Sequence, residues 1–595
     1  GLRKVARALV SVSNKEGLLP FAKFLASKEV EIISTGGSAE FLRSSNIPVR
    51  DLASVTNFPE ILGGRVKSLH PAVHGGLLAV RGNEEHEADL QRHDITPFDL
   101  VVCNLYPFAN TVASGAQEAA CIENIDIGGV AMIRAAAKNF NSVAIVTNPT
   151  QYDALINEMQ ECGGTTLACR RGLAGAAFRA TQEYDTAIAE WMNSSESGEQ
   201  VSRRYTNALT LKYGCNPHQK PASIASVQGA ELPFKVLNGL PGYINLLDAV
   251  NAWSLVCELG AATGLPAAAS FKHVSPAGAA VAVPLTHDEQ VAYGVVGKQL
   301  TDTAVAYVRA RNADALCSFG DFAAVSEVVD AATAMLLKTE VSDGIIAPGY
   351  TDDALDILRQ KKGGKYIILQ MDNVTPPAIE YREINGIAFV QRRNDVVFSP
   401  SEHLSNITTQ RSELSDEARR DLTVAAITTK FTQSNSVVYA KNGQAVGVGA
   451  GQQSRVDCVK LAGRKVETWW LRHHPAVINL PFRKEVKKQA RVNARVQYIE
   501  GALTDVERKA WLTLMEEAPP ELTTEMKEEW MLKLKGVSLS SDAFFPFRDS
   551  IDQASRRGVE YVVQPGGSVG DTEVLKACDE YGMVMGFSNL RLFHH

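Results

Sequence analysis

The sequence predicts an α/β protein of several domains, its sheets partly parallel and covered by helices. Over the first ~200 residues short apolar strands alternate with helical periods, the pattern of a parallel sheet and its crossover helices. Turns rich in glycine and small residues close several of those strands. A length of 595 residues exceeds one domain of about 100–200 residues. Composition narrows the class further. Hydrophobic residues at 45% and charged residues at 21% supply large cores. A net charge of −7 argues against nonspecific nucleic-acid binding, while leaving room for local basic pockets. No apolar run approaches the roughly 18 residues of a membrane span. Ala8–Val12 is too short for a signal-peptide core, and nine scattered cysteines give no disulfide framework. The chain reads as cytosolic, with no membrane or nucleic-acid partner. Gly1 in place of a methionine reads as a trimmed start.

Taken in order, Leu9–Ser13 reads as a strand. Lys15–Lys28 reads as a helix, with apolar residues at Leu18, Leu19, Ala22 and Leu25. Glu31–Ser34, Leu100–Leu105 and Val143–Thr147 follow as strands. A helix ends at Met192, and the polar stretch Asn193–Gln200 reads as a linker. A second α/β region runs to residue 372, with strands Ala315–Phe319, Gly344–Ala347 and Tyr366–Gln370 and a helix Val325–Lys338. From about Asn373 a third segment carries helix Asp416–Lys430, strand Val437–Ala440 and the turn Gly447–Gly451. Residues 482–535 turn charged and helical, and the strands Tyr561–Val563 and Met583–Gly586 come after them. No short-period repeat is visible.

Several signatures can be set aside. Gly447–Gly451 lacks the last glycine of a dinucleotide fingerprint, and there is no phosphate-loop motif. His287-Asp288-Glu289 has the H-x-E form of a zinc deaminase, but no P-C-x-x-C follows, so no zinc site is expected. Three turns are better candidates: Ser11–Lys15, Ser34–Ser38 and Gly63–Pro71. Each exposes backbone N–H groups and hydroxyls where anions bind, and Lys15, Arg65 and Lys67 add charge suited to a phosphate. One such turn is ordinary strand connection; three with cations favour a phosphorylated ligand. Asn104–Pro107 and Asp126–Gly129 read as further loops after strands. In Arg134–Asn139 a lysine, Lys138, stands among alanines, where partial desolvation would ease proton transfer; the plain alternative is a solvated lysine at a helix end. Lys272-His273 follows the apolar run Ala267–Phe271 and precedes a Pro/Gly turn, placing a base beside an oxyanion-stabilising cation. A structural histidine is as common. Polar islands at Lys212–Gly214, Ser318–Phe322, Ser342–Gly344, Gln433–Ser436, Gln452–Arg455, Ser541–Asp549 and Asn589–His595 point to a large polar pocket.

In this order the islands closely resemble the bifunctional aminoimidazole carboxamide ribonucleotide (AICAR) transformylase/inosine monophosphate (IMP) cyclohydrolase family of purine biosynthesis. The resemblance covers essentially the whole chain. It implies a methylglyoxal-synthase-like cyclohydrolase domain over 1–200. It also implies a transformylase region of two zinc-free, cytidine-deaminase-like units, 201–372 and 373–481 with 536–595, interrupted by a helical insertion at 482–535. For ring closure it implies nucleotide contacts from Ser13, Asn14, Lys15, Thr35, Gly36, Gly37 and Ser38. Arg65, Val66, Lys67, Ser68, Cys103, Asn104, Asp126 and Ile127 complete that set, with Lys138 and Tyr106 moving protons. For formyl transfer it implies His273 as base with Lys272 as partner. Nucleotide contacts there are Lys212, Tyr213, Phe319, Gly320, Asp343, Asn435, Arg455, Asp549 and Arg591. Folate contacts are Val456, Phe544, Ser568 and Val569. The cosubstrate is then 10-formyltetrahydrofolate, with no tightly bound cofactor and no metal among the assigned ligands, and the assembly a homodimer whose transferase sites draw on both chains. Three positions depart from the family pattern. Lys212 replaces a usual Arg and loses its bidentate fork; Asn14 stands for a common Asp, and Phe140 for a common His. Two rival readings are a methylglyoxal-synthase-like or regulatory nucleotide-binding N-terminal module, and a degenerate deaminase-like binding scaffold.

Overall fold

The first strand, β1 (Arg7–Val12), is buried on both faces, which is why its sequence runs apolar without alternating. In the computed structural model, which describes residues 1–193, 203–372 and 375–595, β1 is the centre of a five-stranded sheet. The chain divides into two units, Gly1–Arg203 and Arg204–His595. Apart from Asn193, the linker read at Asn193–Gln200 lies outside the described residues, as does the boundary at Asn373.

In unit 1, β2 (Glu31–Ser34), β3 (Arg50–Asp51), β4 (Leu100–Asn104) and β5 (Ala144–Val146) join β1 in the order β3-β2-β1-β4-β5, every pairing parallel. Alternate residues of β1 feed opposite cores. Val10 packs with Phe21, Leu25 and Tyr152 on one side, and Leu9 with Val73, Met132 and Ala136 on the other. The chain leaves β1 toward β2 and later returns to β4 on its opposite flank. The carboxyl ends of β1 and β4 therefore form a topological switch point, where open α/β sheets bind ligands.

Unit 2 opens with an antiparallel pair, β6 (Tyr205–Leu211) and β7 (Ala222–Val227). Eleven strands then make one mixed sheet. They are β8 (Phe234–Asn238), β9 (Ala267–Lys272), β10 (Ser275–Val281), β11 (Asp321–Val325), β12 (Ser342–Ala347) and β13 (Ile367–Met371), and, after a separate hairpin of β14 (Ile379–Ile384) and β15 (Ile387–Arg392), five more. These are β16 (Val437–Lys441), β17 (Gln444–Gly449), β18 (Val537–Ser541), β19 (Val559–Gln564) and β20 (Val584–Phe587), giving the order β20-β19-β18-β16-β17-β10-β9-β11-β12-β13-β8. Its two halves repeat one plan. A hairpin (β9–β10 or β16–β17) pairs antiparallel with a strand that begins a parallel run, β11-β12-β13 or β18-β19-β20. Helices Tyr243–Thr263 and Asp416–Lys430 share the core on one face, while Asp302–Ala313 and Arg455–Leu471 each cover one half of the other. The halves meet where β10 runs antiparallel to β17, Ala280 opposite Gln444. Because the two strands run antiparallel, the start of β10 and the end of β17 lie toward the same edge of the sheet. After Leu471 the chain builds helices Lys488–Glu500, Asp505–Leu512 and Thr524–Met531 around their own core of Phe482, Tyr498, Trp511 and Met515.

Three local expectations are corrected. Ala315–Phe319 is a turn, not a strand: the Asp314 carboxylate accepts from Cys317 N–H (3.0 Å) and Gly320 lies at φ 73°, so extension begins only at Asp321. The helix expected from Val325 starts at Ala331, capped by Asp330 accepting from Thr333 N–H (2.8 Å), and Val325 ends β11. Asp126–Gly129 follows helix Glu118–Glu123 rather than a strand, and leads into helix Gly128–Lys138.

Candidate active site

Strand ends build the site of unit 1. Asn104 closes β4, and its side-chain oxygen accepts from the backbone N–H groups of Ser13 (2.7 Å) and Asn14 (2.9 Å) while its amide donates to the Asn14 carbonyl (2.9 Å). Ser38 Oγ in turn accepts from Val12 N–H (3.0 Å) and donates to Val12 C=O (2.9 Å), fastening the turn after β2 to the turn after β1. A Cβ at Gly36 would meet Lys67 Nζ at 3.4 Å, and one at Gly37 would lie 3.9 Å from Lys15 Nζ. Two ammonium groups thus converge on the bare backbone that starts helix Gly36–Ser44, a geometry made for an anion. Thr35, Gly36 and Lys67 line a cavity of about 310 Å³. Val66 pairs with Ile61, Lys67 with Glu60 (3.1 Å) and Arg65 with Glu123, ordering the loop that carries them.

Asp126 ties this loop to the next helix. Its Oδ1 accepts from Gly129 N–H (2.7 Å), and a Cβ at Gly128 would lie 2.8 Å from Ser68 Oγ, so the two segments approach closely there. Burial pushes the Asp126 carboxyl above the usual range, opposed by the Gly129 and Tyr106 backbone bonds and by Lys67. Tyr184, from helix Leu167–Met192, accepts from Asp126 N–H and donates to Asn124 C=O, both at 2.7 Å. Cys103 is fully buried beneath this loop, its thiol pushed up by that burial. Tyr106 is exposed. Lys138 is exposed too, so the desolvation expected from its alanine neighbours is not supplied by this packing. It stands at the far end of helix Gly128–Lys138, about 15 Å from Gly128 at 1.5 Å per residue. Asp126, Ile127 and Lys138 line a second cavity of about 1020 Å³ with His74, Arg134 and Phe178. Of the expected ring-closure residues, Thr35, Gly36 and Lys67 thus line the first cavity and Asp126, Ile127 and Lys138 the second.

In unit 2 the β9–β10 turn carries Lys272 and His273. Lys272 Nζ donates to the carbonyls of Phe319 (3.1 Å) and Gly320 (2.9 Å), which anchors the ammonium of the residue that precedes His273. His273 (φ 53°) and Val274 (φ 60°) are both left-handed, and Val274 N–H donates to Asp248 Oδ1 at 2.6 Å. Asp343 pairs with Lys362 (2.6 Å). At the end of β17, Arg455 forms a buried ion pair with Asp542 and donates to Asn435 Oδ1 (2.9 Å) and Ser436 C=O (3.2 Å). The C-terminal residues close over it: Leu592 N–H donates to Asp542 C=O (2.9 Å) and His594 N–H to Ser434 Oγ (3.0 Å), which places Arg591 at this edge. Gln433 N–H reaches Ser275 Oγ at 3.4 Å, joining the histidine turn to the arginine cluster. Val456 follows Arg455 on its helix, and exposed Phe544 follows Asp542. Ser568 and fully exposed Val569 lead to Gly570, where a Cβ would lie 2.5 Å from Pro546 C=O, so that turn packs against Pro546, two residues past Phe544. Lys212 and Tyr213 lie after β6, and Asp549 opens helix Asp549–Ser555; among the described residues no hydrogen bond ties these three to the histidine or arginine groups.

A family described as AICARFT/IMPCHase bienzyme matches residues 136–465, and one described as MGS-like domain matches 17–131. The first spans more than half of the chain. This chain belongs to the AICARFT/IMPCHase bienzyme family. The bienzyme is similar over its whole length to the "Bifunctional purine biosynthesis protein PurH" of Roseobacter denitrificans, 38% identical over 100% of this chain and 99% of that protein. The same-named protein of Rhodospirillum rubrum is 36% identical, covering 99% of each. A solved structure titled "Crystal structure of ForH" shares 33% identity with 32% of this chain and 99% of its own, at a TM-score of 0.29. The two family matches meet inside unit 1, whereas the bienzyme's own packing divides at Arg203, because helix Leu167–Met192 buries Ala174 and Ala177 in the unit 1 core. Two residues escaped sequence reading. Tyr184 gave no signal, since its contact is 58 positions away. Asp248 gave a faint one, as an acidic residue among apolar neighbours on helix Tyr243–Thr263.

Proposed function

We propose that each activity of the bienzyme resides in one unit, formyl transfer in Arg204–His595 and ring closure in Gly1–Arg203. The bienzyme carries out the last two steps of IMP synthesis. In the first, the AICAR 5-amino group attacks the formyl carbon of 10-formyltetrahydrofolate. A C–N bond forms to the amine, the bond to folate N10 breaks, His273 takes the amine proton, and Lys272 stabilises the oxyanion and helps protonate N10. In the second, the carboxamide nitrogen attacks the same carbon and water leaves; positioning dominates this intramolecular step, with Lys138 and Tyr106 moving protons. What carries the reading is the Lys272–His273 turn: its ammonium is held by two carbonyls while the adjacent imidazole projects from a strained backbone.

The nucleotide phosphate of the ring-closure substrate belongs at Lys15, Thr35–Ser38, Arg65 and Lys67, supported by two ammonium groups converging on a helix start. The repeated plan of unit 2 supports two deaminase-like units, with folate against Val456, Phe544 and the Ser568-Val569 turn and the nucleotide against Asn435, Arg455, Asp549 and Arg591. The active assembly is a homodimer whose transferase sites are shared between chains. The test separates the steps. His273→Ala should abolish formyl transfer yet still cyclise supplied formyl-AICAR, whereas Lys138→Ala should accumulate that intermediate. IMP formation by Lys138→Ala at the wild-type rate would refute its role.

A further inference from the structure

The backbone at the catalytic turn does not suit its residues. β9 and β10 pair with Lys272 opposite Ser275, leaving His273-Val274 as a two-residue hairpin loop with φ of 53° and 60°. Such a loop selects Asn-Gly or another glycine pair, because both positions are left-handed. A β-branched residue with positive φ is a genuine outlier, and strain of this kind persists only where surroundings over-determine it. One contact in the structure does that. Asp248, 6% exposed on helix Tyr243–Thr263, takes the Val274 N–H that the tight turn leaves without a partner in its own ladder, at 2.6 Å.

We propose that Asp248 is a positioning residue for formyl transfer: its carboxylate clamps the strained His273-Val274 turn and so sets the direction in which the His273 imidazole projects. This rests on the reading of His273 as the transfer base. Burial pushes the Asp248 carboxyl upward, and the Val274 N–H, His273 and Lys272 draw it back down against the opposing charge of Asp343. The carboxylate thus holds the turn by its Val274 N–H bond and is attracted by the charge of the two residues that carry the chemistry.

The experiment compares Asp248→Ala, Asp248→Asn, Asp248→Ala/Val274→Gly and His273→Ala in the full chain. Formyl transfer, ring closure of supplied formyl-AICAR and hydrogen exchange over residues 272–276 are measured for each. Asp248→Ala should lower kcat for transfer about 100-fold, the scale of a misplaced catalytic group, with KM for AICAR and ring closure little changed and the turn exchanging faster. Asp248→Asn keeps an acceptor oxygen and should retain most of kcat and the slow exchange. Adding Val274→Gly to Asp248→Ala should recover kcat, because glycine adopts positive φ without steric cost. Unchanged kcat in Asp248→Ala, a loss shared by ring closure, or no recovery by Val274→Gly would each overturn the inference. If Asp248→Ala alone does not fold, the double variant decides by its kcat, and loss of transfer in a folded Asp248→Asn with slow exchange overturns the clamp independently. Wild-type transfer by His273→Ala would refute the base assignment instead, leaving the exchange result on Asp248 to stand or fall by itself.

Discussion

Replacing Asp542 by Ala removes the central acceptor of the arginine cluster. The Asp542 side chain is 0% exposed and that of Arg455 7%. Its two oxygens take Arg455 and, at 3.0 Å, Ser436 N–H. The variant leaves a buried guanidinium with only the Asn435 and Ser436 oxygens, and an orphaned backbone donor. Removing one partner of a buried pair costs about 3–5 kcal/mol, a large share of the roughly 5–15 kcal/mol that holds a domain folded. Asp542→Asn keeps an acceptor for Ser436 and should lose less. Replacing both partners by hydrophobic residues, Arg455→Met with Asp542→Leu, should recover much of the loss, since no charge is then stranded. Of the six tryptophans only Trp191 belongs to unit 1, so tryptophan fluorescence during urea unfolding reports mainly on unit 2. Formyl transfer should fall with the cluster while ring closure stays intact. An Asp542→Ala protein within about 1 kcal/mol of wild type would show that the pair is solvated and the reasoning wrong.

Unit 2 should also weaken in acid through His473. Burial, with Arg472 beside it, holds the imidazole down at about 4 against an ordinary 6.5. A depressed histidine is neutral in the folded state and protonates first in the unfolded one, so this contribution is intact above about pH 6.5 and is lost toward pH 4. The difference amounts to about 3 kcal/mol, and His473→Phe should flatten urea midpoints measured across that window. Lys212→Arg should lower KM for AICAR several-fold by restoring a bidentate fork; an unchanged KM would remove Lys212 from the site. Dilution below the dimer dissociation constant should reduce formyl transfer before ring closure, followed by sedimentation and both assays; monomers with full transferase activity would end the shared-site reading.

β1, β2, β4 and β5 were legible because buried parallel strands write themselves as short apolar runs, whereas the edge strand β3 is only Arg50-Asp51 and carries no apolar signal. The Lys272-His273 site was legible because an apolar run ends abruptly in charge. What stayed hidden was set by distance or by competition. Asp248 meets Val274 across 26 positions, and no local pattern encodes such a pairing. Ala315–Phe319 looks like a strand until the Asp314 carboxylate takes Cys317 N–H and turns the chain. The doubled plan of unit 2 leaves no periodic trace because its halves repeat topology, with insertions of different length between equivalent strands. Lys138 shows the limit of composition: alanines surround it in sequence, yet it faces outward.

The seam between β10 and β17 has a consequence for how the chain is made. β10 is complete at Val281, but its neighbour begins at Gln444, and β16 then waits for β18 at Val537 behind the whole helical excursion. During synthesis β10 is an apolar edge with an unfilled ladder for more than a hundred residues of growth, the condition in which strand edges recruit wrong partners. Every strand of unit 1, by contrast, has emerged by Val146. Nascent chains are therefore most exposed to misassembly in the interval between Val281 and Gln444, and it is there that a holding chaperone has the most edge to cover.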